Sequence, residues 1–343
     1  MNTFRLVLIA ALALAQGTYA QSAEETSDMP PNYAQNADAR ERIYQLAETH
    51  QIDARYLLSL LMAIHRDEDV LAKISRPAEK SKPWFEYATI FSDAARLEDG
   101  VAFYRQHREA LERAYAQYGV DPAVITAIIG VETRYGKVTG NTPVLQALAT
   151  LCFDYPPRAE FFCSEFDHFL LLAQQEDWNP LQIQGSYAGA MGMAQFMPSS
   201  YRNDAIDFDG DGKINLWQSP EDAIGSIANY LANRGWEKDG DLYYQLPQKP
   251  SLSIFDGNVK PAYDLQDLST DESLKSDQNF MNWLASQSAE TVGSLVLQGE
   301  QEELAFIIYN NFYVITRYNT SPMYAMAVSN LAAAIKSPIN EIY

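Results

Sequence analysis

A glutamate set in a stripe of isoleucines is the first place to look for chemistry. Glu132 falls three, four and seven residues after Ile129, Ile128 and Ile125, so on a helix it projects from their face. A carboxyl there loses solvation, which favours its protonated form, the state a general acid needs. A solvated glutamate at a helix end is the plainer alternative. A second unusual stretch runs from Gly185 to Tyr201 and opens with Gly185, Gly189 and Gly192. Glycine lets a backbone turn tightly and lets a ligand approach it closely. Ser186 and Gln195 offer hydroxyl and amide groups, which suit a neutral, hydroxyl-rich ligand such as a sugar. No Gly-Lys-Ser/Thr follows, so the stretch is not a phosphate loop, and an ordinary glycine turn is its competing reading.

A third stretch has the spacing of a metal loop. Asp207, Asp209 and Asp211 stand at positions one, three and five, Gly210 and Gly212 at four and six, Lys213 at seven and Ile214 at eight. That is an EF-hand-type calcium loop, in which position seven ligates through its backbone. Position twelve holds Gln218 in place of the usual bidentate glutamate, and Asp222, four residues on, is expected to supply the missing carboxylate. The expected result is a structural calcium site of modest affinity.

Helices must position these groups. Asp121 is a good N-cap, Pro122 suits the first helical position and Gly136 supplies a stop, which frames a helix apolar almost all round and hence buried. Helical periodicity also marks segments beginning near Ala39 and at Asp53, and the segments Val101 to Tyr118, Val144 to Leu151, Glu160 to Gln175, Glu221 to Arg234 and Asn311 to Lys336. Pro77 and Pro83, among charges, mark a loop that runs directly into Trp84, Phe85 and Tyr87. Residues 241–300 differ: β-prone runs at Leu242 to Leu246 and Thr291 to Leu297 alternate with turn residues, as in a small strand-containing insertion.

The composition limits the classes of function. Acidic residues exceed basic ones by 20, which argues against a nucleic-acid partner and against attraction to an anionic envelope. Arg5, the apolar run Leu6 to Ala15 and Thr18-Tyr19-Ala20 read as a signal peptide cleaved after Ala20. Nothing later approaches a membrane span, and Gln21 would then stand first, with no cysteine for a lipid anchor. The expectation is an exported, periplasmic, monomeric protein. Export favours a disulfide between the two cysteines, Cys152 and Cys163, against the alternative of two buried thiols.

Taken together these stretches resemble the B-type lytic murein transglycosylases of bacterial cell walls. The resemblance covers nearly all of the chain after residue 20. It rests on Ser75-Arg76-Pro77-Ala78-Glu79 with Pro83-Trp84 and Tyr87, on Gly130 to Gly136, and on Asp154-Tyr155-Pro156 with Arg158-Ala159. Gly185 to Tyr201, the Asp207 loop, and Arg317-Tyr318-Asn319 with Tyr324-Ala325 complete it. It implies a mainly α, α+β fold, with a lysozyme-like helical core, a helical domain and a small β-containing domain around a groove. It places the catalytic acid on Glu132 and the groove positions on Tyr87, Ser186, Gln195, Tyr230, Tyr318 and Asn319. Two departures stand out: Pro157-Arg158 where the family often has two arginines, and no lipid-attachment cysteine like that of the membrane-bound members.

The implied substrate is the peptidoglycan glycan strand, with proteins of wall synthesis as further partners, and no organic cofactor. Ordinary glycosidases use two carboxylates, but no second acid sits at a comparably apolar position here. The resemblance implies that the 2-acetamido group of the muramic sugar takes that role and that 1,6-anhydro ends result. A lysozyme-type hydrolase and a non-catalytic, calcium-stabilised wall-binding module are the alternatives. The expected division is a signal peptide 1–20, a flexible leader 21–37, a helical domain 38–118, the core with its calcium loop 119–240, the insertion 241–300 and a C-terminal helical segment 301–343.

Overall fold

The structure is a computed structural model that describes residues 31–75, 82–252, 255–288 and 290–340. The expected signal segment, the leader up to residue 30 and the Arg76–Glu79 part of the proline loop lie outside those residues. Three helices come first: α1 (Ala37–His50), α2 (Ala54–Met62) and α3 (Glu68–Ile74). Each starts on a side-chain cap, with Asn36, Asp53 and Asp67 accepting from the backbone N–H of Ala39, Arg55 and Val70, which satisfies donors that a helix start leaves open. The leader was expected to run to residue 37, but Tyr33 is buried in a 3-10 turn (Tyr33–Gln35). Its phenol donates to Asp154 and accepts from the Thr150 hydroxyl at 3.3 Å, and those bonds are why the chain is pinned this early.

Next come α4 (Trp84–Ala88), α5 (Ala94–Gln106) and α6 (Arg108–Tyr118). The single helix expected over Val101 to Tyr118 is therefore two. The break is His107, whose backbone leaves helical geometry at φ −109°, ψ 23° while its ring packs 4.5 Å from Phe103. The central helix α7 (Pro122–Thr133) begins as the sequence implies: Asp121 accepts from the N–H of Ala123 at 2.8 Å and Pro122 opens the first turn. Then follow β1 (Thr142–Pro143), α8 (Val144–Asp154), α9 (Ala159–Gln175), β2 (Gln184–Gly185), α10 (Pro198–Asp204) and α11 (Pro220–Ala232). The α8–α9 hairpin turns through Pro156–Arg158 and is closed by the Cys152–Cys163 disulfide. Arg42 of α1 grips Asp167 of α9 through two bonds of 2.7 and 2.8 Å, which helps dock the N-terminal helices on this hairpin.

The chain then forms β3 (Tyr243–Gln245), β4 (Tyr263–Asp264), α12 (Gln278–Ser286), β5 (Thr291–Gln298) and β6 (Glu303–Ile308). They build an antiparallel sheet of order β3-β6-β5-β4. Strand β6 corrects the expected boundary at residue 300, beyond which only helix was expected. The period of two along a strand explains why it was hard to see. Phe306 and Ile308 join the main core while Ala305 and Ile307 join a smaller one with Leu265, Leu268, Phe280 and Leu284. A strand buried on both faces loses the alternation that marks it as a strand. The chain closes with α13 (Asn310–Tyr318) and α14 (Pro322–Asn340). Helix α7 packs against α14, α5, α6 and α11, so its almost uniformly apolar sequence reflects burial from every side.

Candidate active site

Glu132 sits in the last turn of α7, which ends at Thr133, three residues before the expected glycine stop. The chain reverses through three left-handed residues in a row, Arg134 (φ 49°), Tyr135 (φ 60°) and Gly136 (φ 82°). Left-handed geometry costs a non-glycine residue roughly 1–3 kcal/mol, so it persists where the surroundings fix it. The Arg134 guanidinium reaches both carboxylate oxygens of Asp93 at 2.9 and 3.1 Å. The Tyr135 ring fills a notch made by two glycines: a Cβ on Gly100 or Gly130 would lie 2.4 or 2.5 Å from its hydroxyl oxygen. Buried Arg96 of α5 ties the helix end down further by donating to the Gly130 carbonyl at 2.8 Å. These contacts fix the direction in which Glu132 leaves the helix.

The carboxylate is half-buried, and its Oε1 accepts a 2.6 Å hydrogen bond from the phenol of Tyr324 on α14. Burial first, and then the negative charge of Glu132, push the phenols of both Tyr318 and Tyr324 well above their ordinary value of 10. They are therefore neutral hydrogen-bond donors at any working pH. Tyr87 is buried on α4, which packs against α14, the helix of Tyr324. Tyr230 and Tyr318 meet edge-on with ring centroids 4.9 Å apart, and both pack against Phe196. The Tyr230 hydroxyl donates to the Arg317 carbonyl, and the Tyr318 hydroxyl to the Ala194 carbonyl. Asn319 turns the chain into α14, its side-chain oxygen accepting from the N–H of Ser321 at 3.0 Å.

The glycine-rich stretch is stitched to the same place. Thr133, next to Glu132, donates to the Met193 carbonyl at 3.2 Å. Within the stretch, Ser186 Oγ accepts from the N–H groups of Ala188 and Ala190 at 3.3 and 3.0 Å, closing a tight turn. Gly185 is needed there, since a Cβ would meet the Ala190 carbonyl oxygen at 2.2 Å. Gln195 is held left-handed (φ 47°) while its amide donates to the carbonyls of Thr139 and Gly192. The structure thus brings Glu132, Tyr87, Tyr230 and Tyr318 into one cluster, with Ser186, Gln195 and Asn319 on the segments bonded to it. Tyr324 belongs to a stretch that carries the resemblance, but it was not among the expected groove positions. It lies 192 residues from Glu132, and no local pattern announces such a pairing.

The Asp207 loop forms a separate site. Carboxylate oxygens of Asp207, Asp209 and Asp211 lie within 4.8 Å of one another. Asp207 accepts from the N–H groups of Gly210, Asp211 and Gly212, and Asp211 from that of Lys213. Asp209 accepts from Ser219 Oγ, a bond that does most to hold its carboxyl below the usual range. Three hard oxygen donors in a turn of this kind fit a divalent cation such as calcium. Asp222 does not join them as expected. It is buried, and its two oxygens accept from the backbone N–H groups of Phe208, Asp209 and Asn215. It braces the loop from behind, and burial raises its carboxyl above the usual range against those hydrogen bonds.

A buried helix that delivers one carboxyl into a cluster of phenols, within a mainly helical core, is an arrangement suited to acid–base chemistry. Comparison with known proteins narrows the class. Residues 35–333 match the family described as Transglycosylase SLT domain. The chain is 40% identical over 316 residues to the membrane-bound lytic murein transglycosylase B of Escherichia coli, covering 90% of this chain and 85% of that protein. A structure of an Escherichia coli lytic transglycosylase in complex with calcium superposes with a TM-score of 0.78 at 38% identity, covering 90% of this chain and 96% of that one. SltB3 from Pseudomonas aeruginosa, in complex with NAG-anhNAM-pentapeptide, gives a TM-score of 0.72 at 29% identity, over 87% of this chain and 79% of that one. The chain belongs to the B-type lytic transglycosylases, lyases that act on peptidoglycan.

Proposed function

We propose that this enzyme cuts the β-1,4 bond between N-acetylmuramic acid and N-acetylglucosamine with Glu132 as its single acid and base, leaving 1,6-anhydromuramic ends. The observation that carries this reading is the Tyr324–Glu132 hydrogen bond at the end of α7, which presents one oriented carboxyl to the phenol cluster. The fully buried carboxylates elsewhere among the described residues are committed to other groups: Glu165 to Ser199, Asp204 to Arg234, Asp222 to backbone and Asp271 to Ser251 and Ser273. None is free to act as the second carboxylate of an ordinary glycosidase.

Glu132 gives its proton to the glycosidic oxygen as the bond from that oxygen to C1 breaks. The substrate's 2-acetamido carbonyl stabilises the positive charge at C1. The carboxylate then takes the proton of the same sugar's 6-hydroxyl, whose oxygen bonds to C1, and no water is consumed. Tyr87, Tyr230, Tyr318, Ser186, Gln195 and Asn319 hold the sugars. The complex of SltB3 with an anhydro-sugar ligand supports this product. The complex of the Escherichia coli relative with calcium supports a structural calcium ion here, held by Asp207, Asp209, Asp211 and the backbone of Lys213. It would neutralise the loop's carboxylates and take no part in the proton transfers. The residues fit an exported enzyme working in the periplasm, and no helix among those described is long and apolar enough to cross a membrane.

The test is the chemistry of the cut end. Purified peptidoglycan digested with residues 21–343 should yield fragments one water lighter by mass spectrometry than hydrolysed ones, and resistant to borohydride. Predominantly reducible ends would assign a lysozyme-type hydrolysis instead.

A further inference from the structure

A cavity away from the Glu132 cluster has the makings of a second carbohydrate site. It has a volume of about 260 Å³ and is lined by Glu176, Trp178, Ile183, Lys213, Asn215 and Trp217. The two indoles meet edge-on at 5.5 Å, and Trp178 is backed by Tyr201 at 5.4 Å, so the aromatic wall is rigid. The Trp217 N–H is spent on the Gln184 carbonyl at 3.1 Å, and Asn215 Oδ1 on the N–H groups of Trp217 and Gln218. The groups left over are of both kinds. Among the described residues the Glu176 carboxylate and the Lys213 ammonium make no ion pair, and the Trp178 N–H has no protein acceptor.

We propose that this cavity is an accessory subsite for an N-acetylated hexosamine of the glycan strand, one that holds the strand away from the bond being cut. A sugar ring offers apolar C–H faces to an indole and hydroxyl and acetamido groups around its rim. Those groups need both an acceptor, as in Glu176, and donors, as in Trp178, Lys213 and Asn215. Neutral N-acetylglucosamine also suits a protein with a formal charge of −20 better than the carboxylate of a peptide stem or of a stem-free muramic residue. The cavity wall and the glycine-rich stretch share one segment of chain. Ile183 precedes Ser186 by three residues along the segment that contains β2, so at most about 10 Å of backbone separates them. Long strands would reach both sites, whereas a short oligosaccharide would fill one.

The inference goes beyond the proposed cleavage chemistry, and it is tested both by kinetics and by a binding measurement that needs no turnover. The variants are Glu176→Ala and, separately, Trp178→Leu, each with its melting temperature recorded. Against stem-free glycan strands of high polymerisation, KM should rise about tenfold with kcat unchanged, the loss expected for one charge-assisted hydrogen bond. Cleavage of a tetrasaccharide should stay as in the parent. In parallel, the Glu132→Gln protein should bind insoluble stem-free glycan, and adding Glu176→Ala should weaken that binding by a similar factor. This measurement stands whether or not Glu132 is the acid. Unchanged KM and binding would overturn the proposal. So would an equal loss on long and short substrates, which would mean a disturbed groove, or a loss confined to stem-bearing strands, which would mean a peptide site. If Trp178→Leu fails to fold, Glu176→Ala, at a half-buried position with no partner, decides alone.

Discussion

At the scale of single residues, the proposed chemistry turns on a carboxyl and the phenol that donates to it. Glu132→Gln keeps the shape and removes the exchangeable proton, so activity on labelled peptidoglycan should fall by at least ~10²–10⁴-fold, the usual loss for a general acid. Near-parent turnover would remove Glu132 from the mechanism. Tyr324→Phe deletes the bond to Glu132 Oε1 while leaving the ring buried. We expect kcat to drop about tenfold, as for one hydrogen bond to a charged group, with KM nearly unchanged and an altered pH–rate profile. An unchanged profile with a lower melting temperature would make Tyr324 purely structural. The place of Glu132 at the end of a buried helix was legible in the sequence because its neighbours are local: the isoleucines that mark it lie within two turns of the same helix. Tyr324 was not, because its importance is a contact across the fold. Asp222 misled for a related reason. Spacing gives the number of carboxylates near a loop but not the direction each one faces.

At the scale of elements, the end of α7 is held by an exchange of volumes. Gly100 and Gly130 make room for Tyr135, whose hydroxyl is buried with no hydrogen-bond partner among the described residues. Gly130→Ala should therefore lower stability and activity together, because the helix end that aims Glu132 must shift. Tyr135→Phe removes an oxygen that costs desolvation without a bond, so it should be neutral or stabilising by up to about 1 kcal/mol. The double variant should recover part of the loss, as urea unfolding of all three would show; strictly additive effects would refute the coupling. The junction between α5 and α6 makes a pH-dependent prediction. Burial holds the His107 imidazole below its ordinary value of 6.5, against an opposing pull from Glu221. As pH falls, the unfolded chain takes up this proton first. The contribution is therefore present above 6.5 and is lost as pH drops through the lower folded value. Between pH 7.5 and pH 5 the parent should lose more stability than His107→Gln, and parallel pH dependence would contradict this. Helices with one apolar face and a cap were readable from periodicity. The break at His107 and strand β6 were not, since one is a backbone deviation without glycine or proline and the other is apolar on both faces.

At the scale of the whole molecule, the fold has to gather acidic side chains in a chain that is already strongly acidic. The formal charge is −20, and Asp207, Asp209 and Asp211 bring three carboxylates within 4.8 Å of one another. Repulsion among them opposes folding unless a cation lies between them. The loop is also tied to the candidate site, because the carbonyl of Leu216, its tenth residue, accepts from the N–H of Met193 at 2.7 Å, and the Met193 carbonyl in turn accepts from Thr133. Calcium that binds the folded state alone should stabilise it by about 2.7 kcal/mol at a hundredfold excess over Kd, on the order of 5 °C for a chain of this size. Asp209→Ala with Asp211→Ala should abolish that calcium-dependent gain. In a calcium-free buffer the same variant should melt close to the parent, because the relieved repulsion offsets the lost bonds from Ser219 and from the Asp211 and Lys213 N–H groups. Scans in millimolar calcium and in chelator, each at matched ionic strength, separate specific binding from general screening. If both proteins shift equally when calcium is added, the loop holds no calcium, and the Asp207 cluster must be stabilised by its hydrogen bonds to backbone and to Ser219 alone.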